Sequence, residues 1–229
     1  MNLSEEQFSI IVRMNKFDNF IFDFDGTLVD TQIDIKESLK KAIYSAKGTT
    51  IDISSIRIGP PLEEMIRSLL TIVSDNEIKE IVNSFRAIYS DCGFINTFCY
   101  LDIEKLLFEL KKKGKQVFVA TNKPAYLTKK IINKLNIHYF DDIATIDSVE
   151  GSSLSKKEMI SLLIEKHSLI RSFTLMIGDT ASDINAAHNN GVFSVGVGYG
   201  YERKEDLIKS RPDLYFDSVY QLRELLITK

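Results

Sequence analysis

The sequence predicts an α/β fold, a parallel sheet with helices on both faces and a block of helices inserted after the first strand. Three observations predict it. From residue 102 onward, short apolar runs alternate with amphipathic stretches, the pattern of strand–helix–strand crossovers. Ahead of them, the apolar run at 20–22 is followed by a long segment with only helical periodicity. Finally, 44% of the 229 residues are hydrophobic, enough for a sizeable buried core.

The elements follow in order. Ser4-Glu5-Glu6-Gln7 has the form of a capping box ahead of Phe8, Ile11 and Val12, which predicts a short N-terminal helix. Phe20, Ile21 and Phe22 read as a buried strand. Ile35, Leu39, Ala42, Ile43 and Ala46 recur at helical spacing, and Gly48 stops that helix. Pro60-Pro61 opens a second helix, with Leu62, Met65, Ile66, Leu69 and Leu70 on one face. Ser74-Asp75-Asn76-Glu77 caps a third, carrying Ile78, Ile81, Val82, Phe85 and Ile88. Three helices are too many for a single crossover between neighbouring strands. The expected division is therefore a core of residues 1–30 and 101–229 and a helical unit of residues 31–100.

Beyond Asp102 a helix with Ile103, Leu106, Leu107 and Leu110 ends at Gly114. Strands are expected at 116–120, 143–146, 173–177, 192–197 and 214–216, separated by helices that start at Pro124, Ser155 and Ala181. Ser218 starts the last helix.

Polar residues follow four of the apolar runs, at the sheet edge where open α/β sheets bind ligands. The first cluster is Asp23-Phe24-Asp25-Gly26-Thr27. Strand alternation puts Asp23 and Asp25 on one side. Two carboxylates about 5 Å apart at an effective dielectric of ~20 repel by roughly 3 kcal/mol. A hard divalent cation such as Mg²⁺ relieves that. Gly26 lets the chain turn and brings N–H groups towards an anion, and Thr27 adds a hydroxyl. The second cluster is Thr121-Asn122-Lys123, a hydroxyl and N–H groups just before a helix, suited to phosphate. The third is the lysine pair that follows Ser155. Lys156 and Lys157 are both candidates for a cation near the strand ends. The fourth is Gly178-Asp179-Thr180-Ala181-Ser182-Asp183, which places two carboxylates four residues apart on one side of a helix start.

The run 22–31, Phe-Asp-Phe-Asp-Gly-Thr-Leu-Val-Asp-Thr, resembles the first motif of the haloacid dehalogenase superfamily, nearest its phosphoglycolate phosphatase-like branch. Thr121 and Gly178-Asp179-x-x-x-Asp183 resemble the second and fourth motifs. The resemblance implies a Rossmann-like core with a helical cap domain at residues 31–100. It implies Asp23 as nucleophile and Asp25 as acid and base, with Lys156 stabilising charge. Gly26, Thr27, Thr121 and Asn122 would bind phosphate. Asp23, Asp25 (through its backbone carbonyl), Asp179 and Asp183 would hold Mg²⁺. The cap loop with Arg57, Gly59 and Pro60 would select the substrate.

The expected activity is hydrolysis of a small phosphorylated metabolite through an aspartyl-phosphate. A sugar-phosphate mutase or a pyrophosphatase would use the same four motifs. A phospho-accepting signalling domain is the reading from another class, but such domains are shorter and lack the Asp-x-Asp pair.

A net charge of −3 and a pI near 5.7 give no electrostatic case for nucleic acid. No apolar run reaches the ~18 residues of a membrane span. Residues 1–16 carry Glu5, Glu6 and Arg13 and lack the apolar centre of a signal peptide. A cytoplasmic monomer or homodimer is expected. Cys92 and Cys99 have no metal-ligand spacing and read as free thiols.

Overall fold

The structure, a computed structural model, describes residues 16–54 and 56–227. The helix expected from Ser4 lies outside them. The core is a six-stranded, all-parallel sheet. Its strands are β1 (Asn19–Phe22), β4 (Gln116–Thr121), β5 (Asp142–Thr145), β6 (Thr174–Gly178), β7 (Phe193–Val197) and β8 (Leu214–Phe216). Their spatial order is β5-β4-β1-β6-β7-β8. The chain builds outward from β1 on one side, then returns and builds outward through β6 on the other. The reversal makes β1 and β6 the switch point, where such sheets open a ligand crevice.

Strand alternation sorts the side chains into two cores. Phe20 and Phe22 join Val117, Val119, Leu175 and Ile177 on one face. There α4 (Ile103–Lys112), α5 (Ala125–Leu135) and α9 (Val219–Ile227) contribute Leu106, Ile131 and Leu222. Ile21, Phe118 and Met176 point to the other face, against α6 (Lys156–His167) and α7 (Ala181–Asn190). This two-sided burial is why the core strands read as continuous apolar runs.

Three helices lie between β1 and α4: α1 (Gln32–Lys47), α2 (Leu62–Leu69) and α3 (Asp75–Asp91). Gly48 ends α1 in the left-handed conformation, and the Ser74–Glu77 capping box starts α3. Ala46, expected on the buried stripe of α1, is exposed, because the stripe drifts around the helix by its last turn. At either end of the block, β2 (Val29–Asp30) and β3 (Phe98–Cys99) pair antiparallel.

The buried carboxylate of Asp34 ties α1 to the return strand, accepting from Asn96 N–H, the Asn96 amide and the Thr97 hydroxyl. A short helix missed by the sequence reading, α8 (Lys204–Lys209), precedes β8. Among the described residues no helix is long and apolar enough to cross a membrane.

Candidate active site

Phe22 and Ile177 are register partners, so the chain leaves β1 and β6 side by side. Asp23 N–H donates to Ile177 O at 2.8 Å, and Asp179 follows one residue after Gly178. Asp183 enters from the first turn of α7, where Thr180 caps the helix. One carboxylate oxygen from each of Asp23, Asp179 and Asp183 lies within 4.8 Å of the others, and all three residues are buried.

Each carboxylate is held from behind. Thr180 N–H and hydroxyl both donate to Asp183 Oδ2, at 3.1 and 2.6 Å. Asp183 Oδ1 is left buried without a hydrogen-bond donor, although Lys156 Nζ stands at ion-pair distance, 3.0 Å. Asp179 accepts from the Thr27 hydroxyl at 2.9 Å and from Tyr201 N–H at 2.8 Å. Glycines make room for it. A Cβ on Gly26, where φ is +89°, would stand 2.4 Å from Asp179 Oδ2, and one on Gly200 would stand 2.3 Å from Asp179 Cβ.

Lys156 reaches the cluster from the start of α6. Its Nζ lies 2.5 Å from Asp23 Oδ1 and 2.9 Å from Ala120 O, while Lys157 is exposed. Three carboxylates against one ammonium leave the cluster net negative. Burial pushes the Asp23 carboxyl well above its usual range, Lys156 opposes this, and Asp183 and Asp179 add to it. Burial, then the charge of Asp183, pushes Asp179 up to about 7. For Lys156, burial pulls downward, yet Asp183 and Asp23 together hold the ammonium above its ordinary value. An orphaned carboxylate oxygen, uncompensated charge and an all-oxygen donor set fit a hard divalent cation.

Asp25 stands apart from this cluster. Its carboxylate accepts the Thr31 hydroxyl at 2.6 Å and faces Lys123 Nζ at 3.2 Å. The Asp25 carboxylate therefore lies outside the group of acids that could share a metal ion. Lys123 is buried, donates to the Tyr89 hydroxyl at 3.2 Å and lies 4.6 Å from the Tyr89 ring centre. The sequence places Lys123 in the second polar cluster but does not by itself assign it a role. The available signal was its place beside a strand end that faces two aspartates. Glu202 was missed altogether. It is a buried carboxylate that accepts the Ala181 N–H at the start of α7 and pairs with Arg57.

Several expected phosphate donors are engaged elsewhere. The Thr27 hydroxyl goes to Asp179, because Thr27 is fully buried beneath that carboxylate. Gly26 N–H closes the turn onto Val29 O. The Asn122 amide donates to Gly59 O at 2.8 Å, joining the core to the helical block. Thr121 differs. Its oxygen accepts from Lys123 N–H at 3.1 Å, which leaves its own proton to donate. Gly59 and Pro60 line a cavity of about 500 Å³ over Asp23, Asp25 and Thr121. Arg57 does not. It lines a neighbouring cavity beside Lys156 and Glu202.

Fold and centre together define an α/β enzyme whose acidic centre lies at the switch point of a parallel sheet. The family model for haloacid dehalogenase-like hydrolases matches residues 20–197, and the chain belongs to that family. It is 28% identical to a 5'-nucleotidase of Pseudomonas aeruginosa, over 92% of this chain and 96% of that protein. It is 30% identical to a phosphoglycolate phosphatase of Vibrio parahaemolyticus, over 90% and 94%. The crystal structure of a predicted phosphatase from Clostridium acetobutylicum superposes with a TM-score of 0.83 at 28% identity, covering 93% of this chain and all of that one.

Proposed function

We propose that the chain is a Mg²⁺-dependent phosphomonoesterase that works through a phosphoryl group carried on Asp23. The observation that carries this is the buried group Asp23, Asp179 and Asp183 with Lys156 Nζ 2.5 Å from Asp23. Asp23, Asp179 and Asp183, with the Asp25 carbonyl, would hold the ion, and bound Mg²⁺ supplies positive charge against the phosphate.

The remaining chemistry belongs to the side chains. An Asp23 oxygen attacks phosphorus, the bond to the leaving oxygen breaks, and Asp25 gives that oxygen its proton. Water then attacks the acyl phosphate while Asp25 takes a proton from it. The P–O bond to Asp23 breaks, releasing phosphate and restoring the carboxylate. Lys156 holds Asp23 in place and offsets charge as it spreads over the phosphoryl oxygens. The free Thr121 hydroxyl donates to one of those oxygens. Thr31 and Lys123 fix the Asp25 carboxylate.

Residues 31–100 act as a cap domain that covers the phosphate and keeps bulk water out. Phosphate release from p-nitrophenyl phosphate, with Mg²⁺ and with EDTA, tests the reading. Turnover that needs Mg²⁺ is expected. A stoichiometric phosphate acceptor or a metal-independent reaction would overturn it.

A further inference from the structure

We infer that Tyr201 is a positioning residue for the acid–base carboxylate of Asp25, and that it acts through Thr31. The inference rests on the phosphomonoesterase reading above and adds a residue that orients its proton donor.

The first observation is an N-cap threonine that does not cap. Thr31 stands at the N-cap of α1, where a threonine hydroxyl ordinarily accepts an N–H of the first turn. Here it makes no such bond. Its hydroxyl turns back and donates to Asp25 Oδ1 at 2.6 Å. Thr31 is fully buried, so each of its polar atoms needs a partner.

Tyr201 is that partner. Its hydroxyl accepts the Thr31 N–H at 2.7 Å and lies 3.3 Å from the Thr31 hydroxyl. Its own proton goes to Asp30 Oδ1 at 3.1 Å. That leaves the Thr31 proton to Asp25 and fixes the direction of each bond. Burial and the charge of Asp25 hold the Tyr201 phenol well above its ordinary range, so the ring keeps its proton.

The tyrosine is anchored on the metal side of the site. Its N–H donates to Asp179 Oδ2 at 2.8 Å, and a Cβ on the preceding Gly200 would stand 2.3 Å from Asp179 Cβ. On its other side Glu202 is buried and accepts the Ala181 N–H. The hydroxyl is therefore held at a fixed place relative to Asp179, and through Thr31 so is Asp25. The second Asp25 oxygen faces Lys123 Nζ at 3.2 Å. Asp25 also lines the cavity over Asp23, and each of its oxygens keeps a further lone pair for a proton aimed at the leaving group. Without the Tyr201 hydroxyl, the Thr31 N–H is left buried and unpaired. The Thr31 side chain is then free to cap α1, which removes the contact on Asp25 Oδ1.

Two substrates separate orientation of the acid from general damage. Phenyl phosphate has a basic leaving oxygen that needs a proton as its bond breaks, whereas p-nitrophenyl phosphate leaves as a stable anion and needs little help. With Mg²⁺ present, kcat/KM covers every step up to that departure. In Tyr201→Phe, kcat/KM for phenyl phosphate should fall about tenfold, and that for p-nitrophenyl phosphate less than about threefold. Thr31→Val should give the same selective loss, and the double variant should lose less than about twofold beyond Thr31→Val. Mg²⁺ affinity by calorimetric titration should stay within about twofold of wild type in Tyr201→Phe, because the backbone bond to Asp179 is kept. A loss in Tyr201→Phe that is absent or equal on the two substrates overturns the inference and leaves the phosphomonoesterase reading standing. So do additive losses in the double variant, or Mg²⁺ binding weakened about tenfold or more. No phosphate release from either substrate by the wild-type chain overturns that reading itself.

Discussion

Replacing Lys156 with Met removes one charge from the middle of the site while nearly keeping the side-chain length. Nζ stands 2.5 Å from Asp23 Oδ1, 3.0 Å from Asp183 Oδ1 and 2.9 Å from Ala120 O. Both partner carboxylates are buried, so the variant leaves them facing each other without the ammonium. Removing one partner of a buried pair costs about 3–5 kcal/mol. For a chain of this length each kcal/mol lowers Tm by about 2–4 °C, so the metal-free variant should melt roughly 6–20 °C below wild type. Millimolar Mg²⁺ should recover part of that loss, because the ion binds the folded carboxylates and not the unfolded chain. Turnover should not recover to the same extent. Loss of a preorganised charge where phosphoryl charge develops lowers kcat by about 10²–10³. Calorimetry with EDTA and with Mg²⁺, alongside phosphate release, measures both effects. A metal-free Tm equal to wild type, with kcat within about threefold, would refute the placement of Lys156 between the two acids.

Lys123→Met takes away the ammonium 3.2 Å from Asp25, and kcat should fall about ten- to hundredfold with a smaller change in KM. Tyr89→Phe, which removes only the hydroxyl contact to Lys123, should show a smaller drop in the same direction. Gly26→Ala puts a Cβ 2.4 Å from Asp179 Oδ2 at a φ of +89°, so Mg²⁺ affinity measured by calorimetric titration should fall about 10–100-fold. The pH dependence follows from Asp179, whose carboxyl rises from 3.8 to about 7 on folding. A raised carboxyl contributes stability that is full below its unfolded pKa and is lost as pH rises through the folded one. Metal-free stability should therefore fall between about pH 4 and pH 7, and protons should compete with Mg²⁺ in that window. The Tm increase given by Mg²⁺ should be larger at about pH 8 than at about pH 5.5; equal increases would contradict the buried, charge-crowded setting of Asp179.

Much of the fold was legible because its signals are local. Phe20 to Phe22 is apolar on both faces, which only a doubly covered strand requires. Gly48 and the Ser74 and Ser155 capping boxes mark helix ends through contacts within four residues. The parts that escaped depend on partners far along the chain. β2 and β3 are two residues each, too short for any period, and exist only because Val29 meets Cys99. The Thr27 hydroxyl turns to Asp179, 152 positions away, so its direction could not be read beside Asp23. Lys123 takes its place from Asp25 and Tyr89, residues on different elements. Glu202, in a loop without periodicity, acquires partners only once α7 and the loop at Arg57 are assembled around it. The sequence therefore carried which residues leave the sheet edge, and the structure determines where each side chain points.

In the proposed mechanism the phosphoryl group passes through Asp23. Acid quenching during steady turnover, followed by intact mass measurement and peptide mapping, locates it. One phosphoryl group on the peptide containing Asp23 is predicted for the wild-type chain, and none for Asp23→Asn, which should stay folded and lose turnover. A phosphoryl group mapped to another residue, or sustained turnover by Asp23→Asn, would contradict that mechanism.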